Sequence, residues 1–367
     1  KKKNDYFDCL YWIFKAYLRF FHDKIYYEKT YKVNSETIPE DGTPLLIVSN
    51  HQNCLNDPLG VLFTFRDRKP NFITRADVFA LHPIANKFLR SIGLLPAFRL
   101  DFEGEAALQN NEDTFNITKQ AILDGGTVMM YPEAGHQTKR WLGFFSMAYI
   151  RMAFEAAEKS NFETEIFILP SCNHYSNYFG IQNDFMVKFG TPISLKPYYE
   201  LYQTKPRTVQ RQINALVRKQ IEDLMLNITD LDNYDAIDFI RENFRNEYAA
   251  KKGMPCGELP EQLVVDKALV ADLDKKKEEN PEEIAKLYAT ATALKAQAEE
   301  KHIKVEALEK QPSWIKNILA TLGMVILFPF WTNSLWPNLF LWLIGRSFTF
   351  RKEDPMWEGT FMFAINA

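Results

Sequence analysis

The sequence predicts an α/β body followed by a helical appendage, with apolar aromatic segments near both ends of the chain. Three observations carry this. Short apolar β-type runs alternate with helical patterns between residues 44 and 190, the pattern of strands and helices layered on a sheet. Residues 206 to 310 are charged, rich in Ala, Glu and Lys, and almost without β-type runs. From Asn317 to Gly345 there is no charged residue. The 367 residues accommodate one large domain with appendages or two domains. With 46% hydrophobic and 25% charged residues, the chain is not one that stays unfolded. Its formal charge of -3 argues against a strongly basic nucleic-acid binder, so any anion site must be local. Cys9, Cys54, Cys172 and Cys256 are too scattered for a disulfide framework or a zinc site, which suggests reduced thiols in the cytosol.

At the start of the chain, Tyr6, Phe7, Leu10, Tyr11, Ile13, Phe14, Tyr17, Leu18, Phe20 and Phe21 recur at helical spacing. Lys1 to Lys3, Lys15, Arg19 and Lys24 add cations. A helix of this composition suits an anionic membrane surface, and packing against the body is its plain structural alternative. It is too polar for a secretory signal. The β-type runs that follow are PLLIVS, NFIT, TVMMY, EIFILPS and FMVKF, with helical patterns at Asp113 to Leu123 and Gly143 to Glu158. In the appendage, Val209 to Met225 and Pro281 to Leu308 have helical periodicity, GMPCGELP from Gly253 to Pro260 marks a joint, and DLDKKKEE reads as a solvated face.

Asn317 to Gly345 reaches the length of about 20 apolar residues that spans a bilayer. Pro329 and Pro337, with Thr332, Asn333 and Ser334 between them, divide it. One kinked span, a re-entrant hairpin and a buried helix pair are the readings open to it. The chain closes on FMFAINA, another apolar start, so the natural protein is expected to continue. The expected boundaries are residues 1–30 for the amphipathic helix, 31–205 for the α/β domain, 206–312 for the helical appendage and 313–367 for the membrane segment.

The strand PLLIVS runs directly into Asn50, His51, Gln52, Asn53, Cys54, Leu55, Asn56 and Asp57. An imidazole at a strand end, followed within two turns by a carboxylate, has the parts of a general base with an orienting acid. An ordinary imidazole titrates at about 6.5, which suits proton removal near neutrality. Three more segments follow in order. GLLPAFR brings Arg99 after an apolar run, and a guanidinium there can fork onto phosphate. YPEAG places Glu133 and Gly135 at a strand end, and ILP, Ile168 to Pro170, is expected to end the next strand at Pro170. Arg75 follows another β-type run and is either a phosphate ligand or an ion-pair partner of Asp77. His136 and His174 read as pocket or core residues. No metal-ligand spacing, glycine-rich phosphate loop, dinucleotide fingerprint or G-x-S-x-G elbow is present.

The ordered set NHQNCLND, GLLPAFR, YPEAG and ILP resembles the four blocks of the glycerolipid acyltransferases, the family acting on glycerol 3-phosphate and 1-acylglycerol 3-phosphate, over residues 40 to 195. The resemblance implies a mixed sheet flanked by helices. It implies that His51 is the base with Asp57 beside it, and that Arg99, Glu133 and Gly135 hold the phosphorylated acceptor. Five residues separate His51 from Asp57, one more than the family's commoner spacing, and Asn56 stands where the acid usually sits. Asp57 is the preferred partner and Asn56 the fallback. This longer spacing resembles members that acylate glycerol 3-phosphate. Tyr131 and Ala134 replace the usual Phe and Gly of the third block, leaving Gly135 to supply any positive φ. The block's basic residue is delayed to Lys139 and Arg140.

The expected function is fatty acyl transfer from acyl-CoA or acyl carrier protein, as donor substrate, to glycerol 3-phosphate, without cofactor, metal or nucleic-acid partner. A membrane location is expected, with membrane lipids as partners and the active site on the cytoplasmic face. Acylation of 1-acylglycerol 3-phosphate or another lysolipid, and non-catalytic lipid binding, are the alternatives. Cys54, three residues from His51, raises the further option of a thiolate nucleophile.

Overall fold

A computed structural model describes residues 5–76, 79, 86–87, 89–90, 92–97, 106–133, 135, 139–178, 180–303, 313–349 and 363. Two compact units divide the chain, residues 1–225 and 226–366. In the first, helix α1 (Asp5–Phe21) leads through a π-helical turn into β1 (Tyr27–Val33). Then follow β2 (Leu45–Ser49), α2 (Asn56–Leu62), β3 (Asn71–Arg75), β4 (Leu94–Ala97), α3 (Ala106–Leu123) and β5 (Thr127–Met130). After these come α4 (Ala148–Lys159), β6 (Phe167–Tyr175), β7 (Asn183–Phe189), β8 (Ile193–Ser194), α5 (Tyr199–Thr204) and α6 (Pro206–Leu224).

The eight strands form one mixed sheet in the order β1-β7-β6-β2-β5-β3-β4, with β8 also on β6. Its centre, β2, is wholly buried and parallel to β5 and β6. A continuous apolar run is what a strand covered on both faces requires. The parallel register carries the carboxyl ends of β2, β5 and β6 to one edge, where an α/β sheet offers its crevice. Below that edge Leu46, Val48, Val128, Ile168, Tyr149 and Phe154 pack in a dry core with faces of α4 and α6.

Three local expectations change. Strand β1 begins at Tyr27 and pairs with β7, so residues 27–30 belong to the sheet and not to the N-terminal helix. Helix α6, assigned to the appendage by its charge, buries Val209, Ile213, Val217, Ile221 and Leu224 against the first unit. That stripe recurs about every four residues, and it carries the unit to Met225. Strand β6 does not stop at Pro170. Proline lacks only the donor, and its carbonyl still accepts the Gly190 amide at 2.8 Å. From Ser171 to Tyr175 the strand pairs antiparallel with β7, so it extends five residues past the proline.

Helix α1 turns one of the cations expected at a membrane surface inward. Lys15 is buried, with Nζ donating to the carbonyls of Arg66 and Arg68 at 3.3 and 2.9 Å. Trp12, Ile13, Phe14, Tyr17 and Phe20 are exposed.

In the second unit, α7 (Tyr234–Lys252), α8 (Leu259–Glu279) and α9 (Pro281–Glu300) pack together, and α10 spans Trp314–Thr349. Gly253, at φ +67°, ends α7 in the left-handed region where the joint was expected. Asp266 on α8 is fully buried and receives Arg241 at 3.2 Å and Arg245 at 2.5 and 2.8 Å. Lys275 to Glu279 form an exposed end of α8, as the charge run suggested.

Helix α10 is continuous through Pro329 and Pro337, where a break was expected. Thr332 Oγ1 donates to the Pro329 carbonyl at 2.9 Å. Among the described residues no helix is long and apolar enough to cross a membrane, so the C-terminal membrane segment is without support as a span. The closing FMFAINA lies outside the described residues except for Phe363.

The packing of α6 generates a contrast. Ile213→Ala is expected to lower the unfolding free energy by about 2–5 kcal/mol, whereas Leu216→Ala, on the exposed face, stays within about 0.5 kcal/mol. Denaturant unfolding of the two full-length variants checks it.

Candidate active site

His51 stands two residues beyond β2, on the turn that leads into α2. Its Nδ1 is 2.8 Å from Asp57 Oδ2. A carboxylate only accepts, so this contact places the ring proton on Nδ1 and leaves the lone pair on Nε2. The imidazole side chain is 15% exposed and the Asp57 side chain 0%, which makes the ring the reachable member of the pair.

The five-residue spacing works because Asp57 turns back over its own loop. Its Oδ2 accepts the amides of Gln52 and Asn53 at 2.7 and 2.8 Å, while its own amide donates to the Asn53 carbonyl at 3.1 Å. The residues between His51 and Asp57 therefore form a closed turn. Asn56, the alternative acid position, is fully buried, and neither polar atom of its side chain has a hydrogen-bond partner among the described residues. Geometry selects Asp57.

Tyr131 directly follows β5 and stacks on His51, with ring centroids 4.0 Å apart and planes 18° from parallel. Two residues on, Glu133 Oε1 accepts the His51 amide at 2.9 Å and Oε2 accepts the Gly143 amide at 2.8 Å. Glu133 thus fastens the His51 turn to the 142–146 loop. Arg218 of α6 secures that loop from its other side by donating to the carbonyls of Gly143 and Leu142. Burial pushes the Glu133 carboxyl up to about 6, against the lowering effect of its two amide donors. Both oxygens are occupied by backbone donors, and a carboxylate offers a phosphate no donor of its own.

Gly135 is exposed, has open space where a Cβ would project and has no positive φ. The conformational freedom expected of it is not used. Arg75 ends β3, its backbone paired with Ala97 of β4. Arg99, Asp77 and His136 lie outside the described residues. Arg140 is buried, lies 4.9 Å from the Tyr178 ring centre and donates to the Tyr175 carbonyl at 3.0 Å. His174 Nδ1 is 3.5 Å from Arg140 Nη1, consistent with a core role for that histidine. Among the described residues no group of three His, Cys, Asp or Glu side chains could hold a metal ion.

One close neighbour carried no signal in the sequence. Tyr175, the last residue of β6, donates its hydroxyl to Asp57 Oδ1 at 2.5 Å. It follows Pro170 by five residues and belongs to none of the four blocks.

Residues 29–173 match the family model described as acyltransferase, a span that contains all four blocks and bears out the resemblance they suggested. No curated protein matches the chain. Among solved structures the chain is similar to the 1-acyl-sn-glycerophosphate (LPA) acyltransferase PlsC from Thermotoga maritima. That similarity has 14% identity, covers 57% of this chain and 79% of that one, and has a TM-score of 0.42.

The raised Glu133 carboxyl sets a pH test. A folded value of about 6 against an ordinary 4.5 means the fold favours the protonated form. Its contribution is full below pH 4.5 and is lost as pH rises through about 6, a change of about 2 kcal/mol. Glu133→Gln is expected to remove that slope from a pH series of unfolding midpoints. It also sets an NH₂ against one of the two amide donors, so activity falls at least tenfold.

Proposed function

Because residues 29–173 form an acyltransferase-family domain, we propose that this protein transfers a fatty acyl group from acyl-CoA or acyl carrier protein to a hydroxyl of glycerol 3-phosphate. The observation that carries the reading is the reachable imidazole of His51, held by a buried carboxylate at the carboxyl edge of parallel strands. In this mechanism His51 Nε2 takes the proton of the acceptor hydroxyl as its oxygen attacks the thioester carbonyl. Asp57 holds the Nδ1–H and stabilises the imidazolium. The tetrahedral intermediate collapses by breaking the carbon–sulfur bond, and the imidazolium returns its proton to the departing thiolate. The ester forms without an acyl-enzyme. Tyr131 restrains the ring from one face, and Glu133 is a positioning residue for the turn that carries it. Arg99, Arg75 and Gly135 are the proposed contacts of the acceptor phosphate.

A fatty acyl chain favours leaving water by about 0.8 kcal/mol per CH₂, so a catalyst that handles it gains from working at a lipid surface. The exposed aromatic face of α1 supports that location, together with a cleft of about 490 Å³ lined by Trp12, Lys15, Arg19, Phe20, Lys24 and Arg66. Exposed apolar side chains from Trp314 to Phe330 on α10 suit the same medium. The cytoplasmic face is the side on which the proposed donors are found.

Purified full-length protein offered glycerol 3-phosphate, 1-acylglycerol 3-phosphate and other lysolipids, each with acyl-CoA and with acyl carrier protein, tests the assignment. Acylation of glycerol 3-phosphate with the highest kcat/KM is expected; preference for a lysolipid reassigns the acceptor. His51→Ala should lose at least a thousandfold in kcat while keeping vesicle binding, and unchanged turnover removes the base mechanism. Cys54→Ala should retain activity, which separates direct transfer from a thiolate intermediate.

A further inference from the structure

Asp57 has two carboxylate oxygens, and they face different partners. Oδ2 meets the His51 ring and two backbone amides. Oδ1 meets the hydroxyl of Tyr175 at 2.5 Å. Both residues are fully buried, so water does not supply the donor that Oδ1 requires. Tyr175 is itself enclosed: the rings of Phe185, Tyr178 and Tyr27 lie 5.0, 5.7 and 6.3 Å from its own. Burial pushes the phenols of Tyr27 and Tyr175 well above their ordinary range, so each keeps its proton. A fixed file of side chains therefore runs from the start of β1, through the end of β6, to the first turn of α2 and the loop after β2.

We propose that Tyr175 is a positioning residue for His51: by donating to Oδ1 it completes the anchoring of a carboxylate whose Oδ2 the Gln52 and Asn53 amides hold, and so sets the angle and strength of the Oδ2 contact that keeps Nδ1 protonated and Nε2 directed outward. Tyr175 acts through Asp57 and contacts no substrate. Its place depends on the extension of β6 beyond Pro170, where pairing of Tyr175 with Phe185 sets its register. Loss of its hydroxyl leaves Oδ1 buried without that donor while the Gln52 and Asn53 amides still hold Oδ2, so the carboxylate shifts its angle and its pull on the Nδ1–H of His51. This inference rests on the reading of His51 as the general base.

Tyr175→Phe in the full-length protein removes one oxygen and keeps the ring among its neighbours. The hydrogen-bonded Nδ1–H proton of His51, assigned by its absence in His51→Gln, is followed by NMR in histidine-labelled protein without substrate. In Tyr175→Phe that resonance is expected to move and broaden, and kcat to fall about tenfold with KM for both substrates within about twofold. Should Tyr175→Phe not fold, Phe185→Leu, which loosens the ring packed 5.0 Å from that of Tyr175, is expected to move the same resonance less and lower kcat about twofold. An unmoved resonance overturns the proposal, even if kcat falls, since a packing defect alone then explains the loss. A resonance that responds in a protein that acylates none of the acceptors overturns the proposed function and leaves the coupling of Tyr175, Asp57 and His51 in place.

Discussion

The buried carboxylate of Asp57 is the constraint on which the rest of the site depends. A carboxylate removed from water is costly unless donors surround it. Four do so here: the His51 ring, the Gln52 and Asn53 amides and the Tyr175 hydroxyl. Two of these donors are backbone groups of the turn that presents His51. The same contacts that satisfy the acid therefore shape the loop of the base. The orientation of Nε2 follows from how Nδ1 is held.

Glu133 makes a second, separate connection. It joins the His51 turn to the 142–146 loop through two amides, and Arg218 ties that loop to α6. Two carboxyl groups thus lie on either side of one histidine. Asp57 contributes to the rise of the Glu133 carboxyl, though burial is its main cause. A helix assigned to the appendage by composition turns out to support the His51 turn at one remove. The charges of α6 concealed this, because its buried stripe occupies a minority of its positions.

The two units show different ways of handling charge and apolar surface. In the first, buried polar groups gather at the strand ends around His51. In the second, Arg241 and Arg245 of α7 enclose Asp266 of α8 and tie the two helices together. Both units also expose large apolar side chains, on α1 and on α10 respectively. Such surfaces exceed the scattered apolar residues usual on a protein in water.

Much of the fold was legible because hydrophobic patterning is a local property. Every β-type run became a strand, and the order of blocks placed His51 and Glu133 just beyond strand ends, with Asp57 within two turns of His51. Other features depended on contacts between distant segments. Pro170 reads as a strand terminator until its neighbour strands accept it, and β1 is too polar to declare itself without β7. The choice of Asp57 over Asn56 needed the closed turn, and Tyr175 needed the extension of β6. Residue types and spacings thus determined by themselves that an imidazole and a carboxylate follow one strand of an α/β body. Only the tertiary structure decided which atoms meet, because hydrogen bonds depend on sub-ångström placement that sequence spacing does not encode.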